Sequence, residues 1–174
     1  MKDLKKYIRD IPGFPKPGII FKDITTLLKE GRAFKEAIDI LASELKGRKA
    51  QVVLSVESRG FIFGAALAYK LGLGIVPIRK PGKLPHEKHT ITYDLEYGKD
   101  TLEMHKDAFQ KGDKVLIVDD LLATGGTTRA VIDLVEKMGG EIVGIAFLIE
   151  LLPLKGRDKL KGYPVYSIIK DEYC

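Results

Sequence analysis

An open, mostly parallel α/β sheet flanked by helices is the fold class that this chain predicts, and three observations predict it. Two short apolar runs rich in β-branched residues, 51–56 (QVVLSV) and 115–118 (VLIV), each lead through a polar loop into a segment of helical period. Runs of that length and composition suit strands buried on both faces of a sheet. Each helical segment is followed by another apolar run, 74–79 (GIVPIR) after the first and 141–150 (EIVGIAFLIE) after the second. Strand, helix, strand, twice over, is the pattern of parallel crossovers. Between the two units, residues 90–95 and 100–104 flank a turn region at 96–99, as the arms of an antiparallel hairpin do.

In chain order, residues 3–9 predict a short helix with Leu4, Tyr7 and Ile8 on one side. Residues 11–18 (IPGFPKPG) hold three prolines and two glycines, which excludes regular helix and predicts an extended connector. Residues 19–25 (IIFKDIT) are either a small strand with Phe21 in the core or a flap that presents it. Residues 31–46 predict a helix. Phe34, Ala37, Ile38, Leu41, Ala42 and Leu45 recur at i, i+3, i+4, i+7, i+8 and i+11, and Gly47 is a suitable stop.

The run 51–56 ends in Glu57, Ser58, Arg59 and Gly60. The helix that follows, through Leu71, carries Gly64, Ala65, Ala66 and Ala68, so it should pack closely on the sheet. Arg59 at the tip suits a phosphate or pyrophosphate, because a guanidinium binds oxygens in pairs. It is equally readable as a surface arginine held by Glu57. Residues 79–89 (RKPGKLPHEKH) bring Arg79, Lys80, Lys83 and Lys88 together with two prolines and a glycine. Beside an anion site such a segment is a flexible lid; elsewhere it is a solvated loop. His86, Glu87 and His89 have the spacing H-E-x-H on a non-helical segment, which does not fit zinc ligation. Near the end, residues 154–160 predict one or two helical turns and 165–169 a last strand.

Residues 115–128 (VLIVDDLLATGGTT) carry the most chemistry. A strand meets two carboxylates, Asp119 and Asp120, then a turn of small residues, then a helix marked by Ala130, Val131, Leu134, Val135 and Met138. Gly125 and Gly126 permit backbone angles that other residues resist. Their N–H groups, with those of the first helical turn, can converge on a phosphate. Thr124, Thr127 and Thr128 add hydroxyls. The bland alternative is a solvated strand end followed by a plain helix entry. The loop is neither a GxxxxGK[ST] loop nor a G-x-G-x-x-G fingerprint.

At 174 residues the chain predicts one domain, 1–174, able to bury a real core. Within it, residues 1–30 form an N-terminal hood and 79–105 a flexible lid and hairpin. Hydrophobic residues at 45% and charged residues at 30% exclude disorder. The net charge of +5 suits an anionic substrate, and the absence of a like-charge block argues against a nucleic-acid arm. The one cysteine, Cys174, has no partner, so no disulfide framework is expected. The charged N-terminus is no secretory signal, and no apolar run approaches a membrane span. A cytoplasmic protein is expected, without nucleic-acid or membrane partners.

The stretch 115–128 resembles the signature of the type I phosphoribosyltransferases. Further segments are similar to the adenine phosphoribosyltransferase family: FPKPGIIFKDIT near the N-terminus, ESRGF at 57–61, RKPGKLP at 79–85, LEYGKDTLEMH through His105, and LKGRDKL. They cover nearly the whole chain in order and spacing. The resemblance implies transfer from phosphoribosyl pyrophosphate to adenine, giving AMP and pyrophosphate, with Mg2+, by a homodimer. It implies a 5'-phosphate loop of Ala123, Thr124, Gly125, Gly126 and Thr127. Asp119 and Asp120 would hold the ribose hydroxyls and touch the metal indirectly, mainly through the substrate. Phe21 would stack on adenine, with the backbone of Ile20 and Lys22 at the base edge. The family usually has Arg where Lys22 stands, a change of small effect if that contact is main-chain. Ser58 and Arg59 would bind the pyrophosphate side, as would Arg79, Lys80 and Lys83, which are expected to reach the partner subunit's site. Glu103 is the nominee for proton handling at the purine. A sister transferase for xanthine, hypoxanthine or orotate is the nearest rival. A transcription-regulating phosphoribosyl pyrophosphate sensor ranks last, because there is no length before Phe14 for a helix-turn-helix.

Overall fold

The computed structural model of the chain describes residues 3–94 and 98–173. It opens with a 3-10 turn, Leu4–Tyr7, where a short helix was expected. Two strands follow, β1 (Arg9–Pro12) and β2 (Ile20–Asp23), paired antiparallel. The connector expected over residues 11–18 is therefore the far end and turn of a hairpin. Its prolines permit this because Pro12 closes an edge strand, where a missing N–H costs no ladder bond. A single turn, α1 (Thr25–Leu28), leads to α2 (Gly31–Leu45), which buries Ala37, Ile38, Leu41, Ala42 and Leu45, as its period predicts.

The first crossover is β3 (Val52–Val56), α3 (Gly60–Leu71) and β4 (Gly74–Ile78). An antiparallel hairpin comes next, β5 (Lys88–Asp94) with β6 (Lys99–His105). Residues 95–97, where most of its turn was expected, lie outside the described residues, as does Cys174. The second crossover is β7 (Lys114–Leu122), α4 (Gly126–Met138) and β8 (Glu141–Leu151). Two 3-10 turns, Leu152–Leu154 and Gly156–Leu160, precede β9 (Val165–Asp171).

The five central strands are parallel, in the order β4-β3-β7-β8-β9. Both faces are covered, and the alternation along each strand divides the core. Val53, Leu116 and Val118 pack with α2 and α3. Val52, Leu54, Val115 and Ile117 pack with α4 and with Leu102 and Met104 of β6. Fully buried Phe63 and Phe147 anchor the two halves. Truncating either to Ala should cost about 3–5 kcal/mol.

Strand order reverses between β3 and β7: β4 lies to one side, β8 and β9 to the other. In open sheets the crevice outside the carboxyl ends at such a point is where ligands bind. Here it receives the 57–59 loop from β3 and the acid pair from β7. One boundary differs from expectation. β7 runs beyond its apolar run to Leu122, with Asp119 opposite Phe147 and Leu121 opposite Ile149 on β8. The acids thus sit inside a paired strand, held by the ladder, instead of at a free tip. Among the described residues, no helix is long and apolar enough to cross a membrane.

Candidate active site

A cavity of about 430 Å³ occupies the switch point, lined by Phe21, Glu57, Ser58, Arg59, Lys80, Tyr93, Asp119, Asp120 and Thr127, with Val56 and Leu121 beneath. A larger groove, about 690 Å³, lies at the amino-terminal end of the strands around residues 46–50 and has only Asp39 among its acids. The smaller cavity gathers the acid pair, the α3 and α4 N-termini and the aromatic ring, so the chemistry is placed there.

Arg59 is the link across the cavity. Its guanidinium carbon stands 5.0 Å from the Phe21 ring centroid, a cation–π distance. Its Nη1 donates to the Lys22 carbonyl at 3.4 Å, and its Nη2 lies 2.9 Å from Asp120 Oδ2. Phe21 also meets Phe14 edge-on, centroids 5.2 Å apart. The ring is therefore held at the cavity wall by the hood hairpin, not absorbed into the main core.

The Asp119–Asp120 pair is poorly solvated. The Asp120 N–H donates to Asp119 Oδ1 at 2.9 Å. Burial, and then the charge of Asp120, push the Asp119 carboxyl well above the ordinary carboxylate range. Burial also raises Asp120, against the pull of Arg59. Gly60, the first residue of α3, is pressed against this pair: a methyl group there would lie 2.5 Å from Asp119 Oδ1. The helix N-terminus can approach only because no side chain stands in the way.

The Gly-rich loop turns at Gly125, in the left-handed region at φ +77°, and Gly126 begins α4. Of the loop residues, Thr127 lines the cavity. Its Oγ1 is 3.1 Å from the Tyr93 hydroxyl, which also donates to Asp100 at 3.1 Å. Burial pushes the Tyr93 phenol up to about 12. The β5–β6 hairpin therefore rests on the start of α4.

The basic segment after β4 is fastened at its base. Arg79 and Glu103 exchange backbone hydrogen bonds, N to O at 3.0 and 2.8 Å. Glu57 collects Arg79 Nε at 3.3 Å, the Lys80 N–H at 3.1 Å and the Lys83 ammonium. Lys83 first, then Lys80 and Arg79, hold the Glu57 carboxyl down to about 2 despite its burial. Lys80 pairs with Asp100 and alone of the three lines the cavity.

Two side chains have partners that the sequence did not reveal. Lys22 points away from the cavity. It is only 2% exposed, with its ammonium 2.9 Å from Asp171 and 3.0 Å from Asp10. Only its carbonyl faces Arg59. Glu103 is not brought to the cavity. Its carboxylate is buried under the hairpin, 3.2 Å from Lys88 Nζ and accepting the Gly82 N–H at 3.1 Å. Sequence reasoning passed over Tyr93 and the role of Glu57. Both have a signal: Ile91 and Tyr93 share one face of β5 by alternation, and the register Val56↔Ile78 brings Glu57 beside Arg79.

Residues 23–172 match the family model described as the phosphoribosyl transferase domain. An adenine phosphoribosyltransferase of Clostridium kluyveri is 60% identical over 168 residues, covering 97% of this chain and 98% of the relative. The crystal structure of the Thermoanaerobacter pseudethanolicus adenine phosphoribosyltransferase superposes with a TM-score of 0.94 at 56% identity, over 97% of this chain and 98% of that one. The Saccharomyces cerevisiae enzyme, solved with an imino-altritol bisphosphate and adenine, gives 0.90 at 41% identity, over 95% and 96%. With the family model spanning residues 23–172 and relatives 56–60% identical over nearly the whole chain, the chain belongs to the phosphoribosyl transferase family and, within it, to the adenine phosphoribosyltransferases.

Proposed function

We propose that the protein is a purine-salvage enzyme of the cytoplasm, transferring the phosphoribosyl group of phosphoribosyl pyrophosphate to adenine to give AMP and pyrophosphate. The observation that carries this reading is the cavity at the β3/β7 switch point. There Arg59 joins an aromatic wall, Phe21, to an acid pair set just before a phosphate-type loop.

In the reaction a bond forms between a ring nitrogen of adenine and the anomeric carbon. The bond from that carbon to pyrophosphate breaks, its electron pair leaves with pyrophosphate, and the base loses a proton. The sugar carbon becomes cation-like as the leaving group gains charge. Asp119 and Asp120 fix the ribose hydroxyls and stand close enough to favour the positive carbon. Ser58, Arg59, Lys80 and, once released from Glu57, Arg79 and Lys83 take the pyrophosphate. Residues 123–127 hold the 5'-phosphate at the α4 N-terminus. Phe21 stacks on the base, and the backbone of Ile20 and Lys22 reads its edge. The hairpin over the α4 N-terminus limits water, which would otherwise hydrolyse the activated sugar.

Mg2+ fits this donor set. It typically takes one or two carboxylates and completes its shell from substrate phosphates and water, and the Asp119–Asp120 pair is of that kind. When bound it neutralises charge on the leaving pyrophosphate. A homodimer is supported by exposed apolar side chains, Ile62 and Tyr69 on α3 and Ile75 on the edge strand β4. In such a dimer the Arg79–Lys83 segment, which follows β4, would serve the neighbouring site.

The test is a panel of bases with phosphoribosyl pyrophosphate and Mg2+. Adenine should be converted far faster than guanine, hypoxanthine or xanthine. Equal rates with xanthine would move the chain to a sister specificity, and absence of turnover with every base would remove the enzymatic reading.

A further inference from the structure

The inner side of the Gly-rich loop is backed by another piece of backbone, with no side chain between. A methyl group on Gly125 would lie 2.4 Å from the Gly156 carbonyl oxygen, and one on Gly156 would lie 2.1 Å from the Ala123 oxygen and 3.0 Å from the Gly125 nitrogen. The two glycines are thus obligatory at both sides of one contact. Gly156 opens the 3-10 turn Gly156–Leu160, entered through Lys155 at φ +50°. Whatever fixes that turn fixes how far the loop can recede.

Arg157 fixes it. Its Nε donates to Glu150 Oε1 at 2.8 Å and its Nη2 pairs with Glu150 Oε2. Its Nη1 donates to the Val165 carbonyl at 2.9 Å, and its Nη2 also reaches Ser167 Oγ at 3.1 Å. Glu150 is buried near the end of β8, while Val165 and Ser167 belong to β9. One planar guanidinium therefore clamps the turn to the last two strands of the sheet. It does so outside the cavity, which it does not line.

We propose that Arg157, acting through Gly156, is a positioning residue for the phosphate loop: it sets the depth at which the backbone of residues 123–126 meets the sugar phosphate. The inference rests on reading that loop as the 5'-phosphate cradle. Displacing a positioned group by about 1 Å is enough to cost about a hundredfold in rate. Lysine keeps the charge but cannot reproduce the fork, so Arg157→Lys should loosen the turn while leaving Glu150 paired.

The experiment measures binding of ribose 5-phosphate and of adenine by calorimetry, with steady-state kinetics, for wild type, Arg157→Lys and Ser167→Ala. Arg157→Lys should weaken ribose 5-phosphate binding and raise the KM for phosphoribosyl pyrophosphate about tenfold or more, with adenine binding within about twofold. Ser167→Ala, which removes one of the contacts and leaves the ion pair, should shift the same constants less. A purely structural role would lower Tm and the active fraction and leave both binding constants unchanged; that result overturns the proposal. So does an equal loss for adenine and ribose 5-phosphate. A wild-type protein that binds ribose 5-phosphate yet fails to use adenine would remove the adenine assignment alone, and the ribose 5-phosphate constants would still decide the role of Arg157. Wild type that does not bind ribose 5-phosphate at all would overturn the inference together with the cradle reading.

Discussion

Asp119 stores much of the tension in this molecule. Its carboxyl is raised by burial and by Asp120, so the folded chain holds a proton there more tightly than the unfolded chain does. That contribution to stability is complete below the ordinary carboxylate pKa of about 4 and is lost as pH rises toward the folded value. Asp119→Asn has no such proton to lose. Its Tm should gain on wild type as pH rises above the ordinary range, while kcat/KM falls about a hundredfold or more. Glu57 and Asp23, held near 2, act with opposite sign and are lost only as pH falls toward that value. They are common to both proteins, so the difference in melting reports the coupled Asp119–Asp120 pair. A difference that stays flat with pH would contradict the account. Much of the site was readable from residue types: the acid pair, the glycine loop and Arg59 announce themselves because their chemistry is local. Glu103 is less legible, because a carboxylate in a matching segment looks the same whether it faces a ligand or pairs with Lys88.

At the scale of elements, the parallel units were legible because strand and helix periods there agree with local composition. The β1–β2 hairpin was not, because its prolines read as breakers unless edge position is known. β7 outran its apolar run because pairing with β8 tolerates polar residues that no hydrophobicity pattern marks. The hood hairpin is tied to the sheet by the buried Lys22–Asp171 pair, with Lys5 and Asp10 at its margins. Burial opposes the charge on Lys22, but its two carboxylates outweigh it and keep the ammonium above its usual pKa. Asp171→Asn should therefore destabilise toward the lower end of about 3–5 kcal/mol, since Asp10 remains. It should also raise the KM for adenine more than that for phosphoribosyl pyrophosphate. Urea denaturation and the two KM values check this; an unchanged adenine KM would mean that the tether does not place Phe21.

For the whole molecule, the exposed apolar groups on α3 and β4 set the expectation. Tyr69 is 91% exposed on a chain whose other large apolar groups are mostly covered. Tyr69→Glu should shift sedimentation from dimer to monomer at micromolar concentration, and activity should fall with it if the Arg79–Lys83 segment serves the neighbour. A variant that stays dimeric would place the interface on another face. No sequence pattern revealed these exposed groups, because the periodicity of α3 does not by itself say which of its apolar residues the sheet leaves uncovered.

The hood hairpin has one more consequence. Residues matched to the family begin at 23, just after Lys22, so the segment bearing Phe21 stands in front of the shared domain. It is joined to that domain by ion pairs, by the reach of Arg59 and by the packing of Leu4, Tyr7 and Ile8 against the core. On the proposed reading, the part that holds the sugar phosphate and the part that meets the base are then separable. On that reading, substitutions in the turn of the leading hairpin should alter which base is accepted and leave ribose 5-phosphate binding at the loop braced by Gly156 unchanged.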